Sequence, residues 1–439
     1  AVFLAINAGI DMSMTPNDYS FNDALIELVK EGRITEARLD ESVRRILTAK
    51  QKLGLLDNPS PNFDDFPKFG SEEHENKSLQ AAKESITLVK NKNILPLSTS
   101  TKILVTGPGA NSLNYLNGGW THTWQGEETK YNTIGKKTIQ ESLKLLSKNI
   151  TYMEGSSLDS NINTLATLEE AKNHDVIVVC LTEAPATEGP ADINSLDFPK
   201  AQQNLVRELS KSGKPLVIIT TTARPRIMRD IEPLMDAILL AYLPGNEGGT
   251  AIAETILGLN NPSGKLPFTY PKYQGLNITY DHKHTEKTNR FLGQTSSLSE
   301  YDAKFKGQLY QWDFGYGLSY SNFIYSNLKM DKKSYLKTDT LEIEVTVTNQ
   351  SEIAGDEVIQ IYCSDLVASI TPCVKRLRGF KKIHLSANQS KTIKLSIPVK
   401  ELAFVGSNNK WVVESGEFKL KTNKLTQNFE IKEKVVVKK

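Results

Sequence analysis

Two polar segments hold the residues whose types and spacing could do chemistry. Residues 120–126 (W-T-H-T-W-Q-G) place two indoles four residues apart beside a glycine, in a stretch too polar for a core strand. Residues 182–199 follow the apolar run 175–181, which predicts a strand leading into a polar loop that holds Glu183 and Glu188. Pyranose rings offer apolar CH faces for stacking and a glycosidic oxygen for protonation. Aromatic side chains beside a loop carboxylic acid therefore favour a sugar site.

A glycine-rich turn offers a rival interpretation. Residues 107–111 (G-P-G-A-N) follow the apolar run 102–106, at the place where dinucleotide-binding folds hold a pyrophosphate. The third glycine of that fingerprint is absent, and Pro108 has no N–H to offer a phosphate. We therefore favour the sugar site over a nucleotide-binding oxidoreductase, and we expect no cofactor.

The middle of the chain must position these loops. Short apolar runs that do not alternate with polar residues are typical of strands buried on both faces of a parallel sheet. Helical patterns lie between the runs, at residues 201–209 and 248–257. The pattern predicts a doubly wound α/β domain over residues 78–262, with ligand-binding loops at the carboxyl ends of its strands. The runs are residues 102–106, 175–181, 215–220 and 237–241.

The pattern changes after residue 320. Apolar and polar residues then alternate strictly in several short runs separated by turn residues, which predicts a β-sandwich over residues 320–430. A long connecting loop is expected before it, at residues 263–319, and a basic tail after it, at residues 431–439. The alternating runs are residues 340–348, 357–362, 392–397 and 417–421.

The beginning of the chain reads as helical. Apolar residues recur at helical spacing over residues 21–55, with interruptions at Gly32 and Gly54. Residues 57–77 form an expected linker. The first residues lack an initiator methionine and a basic leader region, so we expect no signal peptide there and a chain that is part of a longer protein.

Composition excludes several classes of protein. Charged residues make up 24% of the chain and the formal net charge is +2, which indicates no nucleic-acid surface. No apolar run reaches the length of a membrane span. Cys180 is expected in the core, whereas a disulfide between Cys363 and Cys373 stays open. His282 and His284 are expected to face solvent, and no metal site is predicted.

Several motifs together resemble glycoside hydrolase family three, the β-glucosidase and exo-β-glucanase group, in that family's order over nearly the whole chain. The resemblance implies that residues 1–56 are the tail of a (β/α) barrel, beginning with its last strand. It also implies that the β-sandwich is fibronectin type III-like and that the protein is secreted or periplasmic. The motifs are residues 5–14, 120–126, 182–199, 261–271, 314–320 and 375–381.

The resemblance also implies a role for one glutamate. In the glucanase branch of the family, the general acid/base is the glutamate of a Thr-Glu pair that lies eleven residues before a proline. Glu188 follows Thr187 and precedes Pro199 by that interval, so we assign Glu188 as the catalytic acid/base.

Three further residues are assigned to substrate binding on the same ground. The family carries a tryptophan at the place of Trp124 as a wall of the leaving-sugar subsite. Trp120 is expected to pack beneath it, and Glu183 is expected to shape the loop or to form hydrogen bonds there.

The family's nucleophile is the aspartate of a Ser-Asp-Trp type motif upstream of residues 5–14, and no such motif occurs in this sequence. Asp11 lies after the nucleophile position, so it is expected to be a hydrogen-bonding residue beside the last barrel strand.

The predicted function is removal of β-linked glucose from non-reducing ends by a retaining mechanism, with this chain supplying the acid/base and not the nucleophile. The alternative is a non-catalytic carbohydrate-binding or scaffold fragment. The resemblance implies a β-glucoside or a β-glucan oligosaccharide as the partner. Xylose or galactose as the glycone, and the oligomeric state, stay open.

Overall fold

The computed structural model describes residues 1–60, 62–275, 279–281 and 310–433, and it divides into two compact units, residues 1–74 and residues 75–439. The first unit contains helices α1 (Val2–Asn7), α2 (Ser20–Lys30) and α3 (Glu36–Lys52). After α2, Gly32 has a φ of +69°, which glycine adopts at little cost. Thr35 then caps α3 by accepting a hydrogen bond from the N–H of Arg38. The helical pattern predicted for residues 21–55 is confirmed.

Asp11 anchors the start of the first unit to α3. Its carboxylate accepts hydrogen bonds from Ser42 Oγ at 2.8 Å and from Arg45 Nη1 at 3.0 Å. The bond from Ser42, with help from Arg45 and Arg38, holds the pKa of the Asp11 carboxyl below its usual range. The expected hydrogen-bonding role is therefore confirmed. The prediction of a strand beside Asp11 is wrong, since the described residues 1–60 contain helices and no strand. A strand there would need a neighbouring strand to pair with its backbone N–H and C=O groups, and these residues provide none.

Helix α4 (Glu72–Ser85) leads into a six-stranded sheet. Its strands are β1 (Thr87–Asn91), β2 (Ile103–Thr106), β3 (Ile150–Tyr152), β4 (Val176–Thr182), β5 (Leu216–Thr221) and β6 (Ala237–Leu240). They lie in the order β1-β6-β5-β4-β2-β3, and only β1 is antiparallel to its neighbour. The four predicted strands are confirmed to within one residue at each end. Strands β1 and β3 had no sequence signal, since they are short and partly polar.

Helices cover both faces of this sheet, as the doubly wound prediction requires. They are α5 (Ile139–Leu146), α6 (Thr164–Ala171), α7 (Lys200–Ser210) and α8 (Gly248–Ile256). Neighbouring residues of β4 point to opposite faces: Val178 belongs to a core with Ile139 of α5, and Val179 to a core with Leu205 of α7. All residues of β4 are buried. This explains why the run is apolar without alternation.

The connection between the two folded domains contains a small strand pair, β7 (Tyr270–Pro271) and β8 (Tyr310–Trp312). The long connecting loop predicted over residues 263–319 thus includes two short segments whose backbone groups pair. Residues 276–278 and 282–309, with His282 and His284, lie outside the described residues, as does most of the predicted basic tail. The domain boundaries drawn from the sequence stay predictions.

The C-terminal domain is a β-sandwich, as predicted. One sheet has the strand order β14-β11-β9 and the other β10-β18-β17-β12-β13, and β15 and β16 form a separate pair. In β11, Leu341, Ile343, Val345 and Val347 face the core, so the alternation in sequence matches the two-residue repeat of a strand. The strands are β9 (Phe323–Met330), β10 (Ser334–Leu336), β11 (Thr340–Asn349), β12 (Gly355–Asp365), β13 (Arg376–Leu385), β14 (Ser390–Pro398), β15 (Phe404–Val405), β16 (Trp411–Val412), β17 (Gly416–Thr422) and β18 (Leu425–Lys432).

Two of the sequence motifs join the sandwich to the α/β domain. Lys265 Nζ donates to the carbonyl of Gly317 at 2.8 Å and to the Glu357 carboxylate at 3.0 Å. A Cβ on Gly264 would lie 2.5 Å from the carbonyl oxygen of Ile86, so only glycine fits there. Asn261 Nδ2 donates to Ser321 and to a carbonyl of the sandwich. These motif residues are explained by the packing of the two domains.

The three cysteines lie within the described residues and none forms a disulfide. Cys180 is buried in the core, as predicted. Burial raises the pKa of the Cys363 thiol to about 12, so it is not ionised near neutral pH. The Cys373 Sγ lies 3.8 Å from a carboxylate oxygen of Asp281. In the part of the chain that the structure describes, no helix is both long and apolar enough to cross a membrane.

Candidate functional site

The two loops that hold the tryptophans and the glutamates meet at the point where the sheet reverses its order. Strand β3 lies on one side of β2 and β4 lies on the other, with β5 beyond it. In open α/β sheets, ligands bind in the crevice at the carboxyl ends of the strands on either side of such a reversal. The loop after β2 contains residues 118–126, here called the tryptophan loop. The loop after β4 contains residues 183–191, here called the acid loop.

The glycines that follow β2 serve the packing of β2 against β4. A Cβ on Gly107 would lie 2.6 Å from the carbonyl oxygen of Cys180, and Gly107 has a φ of +93°. The N–H of Gly109 donates to the same oxygen at 3.1 Å. The turn that resembled part of a dinucleotide fingerprint is thus explained by close backbone approach.

The tryptophan loop folds back on itself. The N–H of Trp120 donates to the carbonyl of Trp124 at 2.8 Å, and the N–H of Gly126 donates to Thr123 Oγ1 at 3.1 Å. Trp120 and His122 have φ values of 61° and 62°, in the left-handed region that residues other than glycine rarely occupy. These bonds give the loop a defined shape, in which Trp124 is 56% exposed.

The two loops contact each other at three neighbouring points. Trp124 Nε1 donates to Glu188 Oε2 at 3.0 Å. The N–H of Thr187 donates to Gln125 Oε1 at 2.9 Å. A Cβ on Gly119 would lie 2.5 Å from the Cβ of Thr187, so the glycine permits the close approach. The structure therefore brings the predicted acid and the predicted stacking residue into direct contact, although they are 64 residues apart in the chain.

Glu188 has a strained backbone. Its φ is 56° and its ψ is −147°, a region almost restricted to glycine. Strain of this kind costs roughly 1–3 kcal/mol and persists only where the surrounding contacts enforce it. The side chain of Arg224 supplies one such contact, since its Nη1 donates to the carbonyl of Ala191 at 2.7 Å. Glu188 itself is exposed, so its carboxyl is available to a ligand.

Glu183 differs from Glu188 in every contact. It is 7% exposed, and its Oε1 accepts hydrogen bonds from the N–H groups of Ala223 and Arg224. Its Oε2 lies 2.6 Å from Arg226 Nη2 and 3.0 Å from Arg224 Nε. Because protein donors occupy both oxygens, Glu183 shapes the loop, as one expectation had it. Its assignment to substrate binding stays a prediction, and in this structure protein donors already occupy both of its oxygens.

Replacing either member of the buried Glu183–Arg226 pair is expected to destabilise the chain strongly. Removing Glu183 takes the shared counter-charge from Arg226 and Arg224, and removing Arg226 leaves Glu183 with Arg224 and two backbone N–H groups. Breaking a buried ion pair in this way typically costs about 3–5 kcal/mol. Glu183→Gln and Arg226→Met should each lower the free energy of unfolding by about 3 kcal/mol, and the double variant by less than the sum of the two.

Urea denaturation followed by circular dichroism measures these free energies. Glu169→Gln is the matched control, because it removes an exposed pair with Lys172 and should change stability by less than about 1 kcal/mol. Strictly additive losses in the double variant would show that the two side chains do not act as a pair.

The position of Trp120 differs from the expectation. It was expected to pack beneath Trp124, but Trp120 is 69% exposed, more than Trp124. The reason is that backbone hydrogen bonds close the loop, and that a Cβ on Gly126 would clash with the carbonyl oxygen of Gly118, so the loop interior has no room for a ring. Trp120 contributes to the loop through its N–H.

Three residues of the site were not found from the sequence. Gln125 lies inside the motif that drew attention to the tryptophans, but a glutamine carries no signal of its own. Arg224 and Arg226 follow β5, the strand next to β4, in the sequence T-T-A-R-P-R. Because two arginines follow the strand next to β4, the sequence could have predicted an ion pair between them and Glu183. Within residues 1–60, 62–275, 279–281 and 310–433, no group of three or more His, Cys, Asp or Glu side chains could hold a metal ion.

Comparison with known families places both loops in one domain. Residues 86–320 match the glycosyl hydrolase family 3 C-terminal domain, which covers more than half of the chain. Residues 1–49 match the N-terminal domain of the same family, and residues 357–424 match a fibronectin type III-like domain.

Relatives and solved structures extend this likeness. A lysosomal β-glucosidase of Dictyostelium discoideum is 39% identical over 95% of this chain and 52% of its own length. A periplasmic β-glucosidase of Salmonella typhimurium is 32% identical over 95% of this chain and 58% of its own length. The structure of a variant β-glucosidase of Listeria innocua in complex with laminaribiose superimposes with a TM-score of 0.82 at 28% identity, covering 98% of this chain and 60% of that one. The chain thus spans between half and three fifths of these proteins.

Proposed function

The chain belongs to glycosyl hydrolase family 3, and from that premise we propose that it supplies the general acid/base of a retaining β-glucosidase, with Glu188 in that role. The bond from Trp124 Nε1 to Glu188 Oε2 carries the proposal. It joins an exposed carboxyl, on a strained loop at the sheet reversal, to an exposed indole that can stack on a sugar. The β-glucosidase names of the relatives support the same activity.

The indole bond orients the acid. Because Oε2 already accepts the Trp124 N–H, the acidic proton is favoured on Oε1, and Oε1 makes no hydrogen bond to the described residues. In the first step, Glu188 passes this proton to the glycosidic oxygen while the bond from that oxygen to the anomeric carbon breaks and the nucleophile carboxylate bonds to the same carbon. With the N–H edge of Trp124 engaged, the flat face of its ring is left to pack against the leaving sugar.

Glu188 then acts as a base. After the leaving sugar departs, the Glu188 carboxylate removes a proton from water. The oxygen of that water attacks the anomeric carbon of the covalent glycosyl-enzyme, and the bond from that carbon to the nucleophile carboxylate breaks. Two inversions give net retention of configuration. Glu183 takes no part, because its oxygens are bonded to Arg224, Arg226 and backbone N–H groups.

The nucleophile is proposed to come from a (β/α) barrel outside these 439 residues; the complete enzyme is this chain joined to that barrel. Two observations support this: the match to the family's N-terminal domain covers only residues 1–49, and the Ser-Asp-Trp type motif does not occur in the sequence. A non-catalytic carbohydrate-binding protein is the competing function, and it predicts binding of β-glucosides without turnover even when the barrel is present.

The proposed substrate is a β-glucoside or a β-glucan oligosaccharide attacked at its non-reducing end. Support comes from the relatives' names and from the laminaribiose bound to the Listeria protein. Export from the cytoplasm is part of the proposal, because one relative is described as periplasmic and another as lysosomal. Immunodetection in fractionated cells is the direct check of export.

Proton NMR of the reaction tests the proposed function. The complete enzyme acting on an aryl β-glucoside is expected to release the β-anomer of glucose first, with the α-anomer appearing only by mutarotation. The matching α-glucoside serves as the control and should stay intact, while β-xyloside and β-galactoside define the glycone. Release of the α-anomer first would contradict the retaining mechanism. Saturable binding of the β-glucoside without hydrolysis would support the carbohydrate-binding alternative.

A further inference from the structure

We propose that Gln125 is a positioning residue for Glu188: it fixes the acid loop against the tryptophan loop and so sets the place from which Glu188 transfers its proton. The inference rests on the proposed role of Glu188. It adds a residue of the tryptophan loop whose own side chain need not touch the substrate.

Within the part of the chain that the structure describes, the side chain of Gln125 makes one hydrogen bond. Its Oε1 accepts from the N–H of Thr187 at 2.9 Å, while its Nε2 is buried and has no hydrogen-bond partner among the described residues. A buried amide that leaves its donor unused is unfavourable. The hydrogen bond from the Thr187 N–H to Gln125 Oε1 is therefore the contact that favours an amide side chain at this position.

The bonded N–H belongs to the residue directly before Glu188. Glu188 has a φ of 56°, which its side chain does not favour, so contacts on both sides of it must hold the backbone in place. On the C-terminal side, Arg224 holds the carbonyl of Ala191. On the N-terminal side, Gln125 holds Thr187, and Gly119 allows the two loops to come that close.

Gln125 also affects the second contact of the acid. It directly follows Trp124, whose Nε1 donates to Glu188 Oε2 at 3.0 Å. If the bond to Thr187 is lost, the loop backbones are free to separate, and the indole and the carboxyl move apart with them. Displacement of a catalytic group by about 1 Å can cost roughly 10²-fold in rate. The loss should fall on the step that needs the proton.

Two nearly isosteric variants of Gln125 separate positioning from folding. Gln125→Met keeps the length of the side chain but lacks the acceptor, whereas Gln125→Glu keeps the acceptor. Gln80→Met is the matched control, since Gln80 lies exposed on α4 and bonds only to Glu84 in the described residues. The measurements are made on the complete enzyme, with an alkyl β-glucoside as the poor leaving group and a dinitrophenyl β-glucoside as the activated one.

Gln125→Met is expected to lower kcat/KM for the alkyl glucoside by roughly 10–100-fold, and for the dinitrophenyl glucoside by less than about threefold. Gln125→Glu should restore most of the activity on the alkyl glucoside. Gln80→Met should match the wild type on both substrates.

Equal losses on both substrates, or no loss in Gln125→Met, would overturn the positioning role. A different result would contradict the proposed function. In that case the rate loss in Glu188→Ala would not depend on the leaving group, and this outcome is independent of the Gln125 variants. If Glu188→Ala shows that dependence while Gln125→Met behaves like Gln80→Met, the function stands and the inference about Gln125 is wrong.

Discussion

The purified 439-residue chain is expected to hydrolyse aryl β-glucosides no faster than the buffer does. A retaining glycosidase needs two carboxyl groups about 5–5.5 Å apart, one to attack the anomeric carbon and one to handle the proton. In the proposed mechanism, this chain supplies only the carboxyl group that handles the proton. Without the covalent glycosyl-enzyme the rate should fall by many orders of magnitude relative to the complete enzyme, because an acid alone contributes roughly 10²–10⁴-fold. Release of the aryl group, followed by absorbance at high protein concentration, measures it.

Two comparisons make that result decisive. The complete enzyme, assayed in parallel, should show saturable turnover, which establishes that the assay and the acid loop are sound. The chain carrying Glu188→Ala should match the unaltered chain, since both stay at background. Saturable turnover by the unaltered chain that Glu188→Ala abolishes would contradict the proposal and would require a nucleophile within residues 1–439.

The strands that the sequence predicted are those whose residue pattern reflects their surroundings. Strand β4 is buried on both faces and β11 on one, so one run is continuously apolar and the other alternates. Strand β3 has three partly exposed residues at the sheet edge, and β1 mixes apolar residues with Lys90 and Asn91. Neither has a pattern that distinguishes a strand from a loop.

The sequence predicted the reactive residues of the site better than the residues that hold them in position. An acid in a loop after a buried strand has a recognisable setting, and the resemblance to a family named Glu188 and Trp124. The roles of Gln125 and Arg224 depend on hydrogen bonds to backbone atoms of distant segments, which no local pattern encodes. Trp120 was misplaced because a tryptophan usually fills space, whereas here the loop closes by backbone bonds.

The acid loop shows how neighbouring glutamates acquire different roles. Glu183 directly follows β4, and two arginines and two N–H groups from the segment after β5 bond to its oxygens. Glu188 lies five residues later on a strained turn, exposed, with an indole on one oxygen only. A contribution to folding stability explains the contacts of Glu183, but it does not explain the strained and exposed position of Glu188. A strained, exposed carboxyl held by contacts from two other loops is the arrangement expected where function maintains the strain.

Glu188→Ala and Glu188→Gln in the complete enzyme should slow hydrolysis of alkyl β-glucosides by roughly 10²–10⁴-fold. Cleavage of dinitrophenyl β-glucosides should change far less, because that leaving group departs without a proton. Plots of log kcat/KM against the acidity of the leaving alcohol should therefore steepen in the variants. Asp192→Asn is the matched control, since Asp192 is an exposed carboxylate in the same segment. Glu183→Gln is unsuitable as a control, because it breaks a buried ion pair.

Azide should rescue Glu188→Ala on the dinitrophenyl substrate and yield a β-glucosyl azide. A small anion fits the space left by the missing carboxyl, attacks the glycosyl-enzyme without a base, and inverts its α-configured anomeric carbon. Wild type and Asp192→Asn should form no such product, because Glu188 occupies that space and activates water instead. Formation of the α-azide would contradict retention. Rescue of Asp192→Asn, with Glu188→Ala behaving like wild type, would move the acid four residues along the chain and overturn the assignment of Glu188.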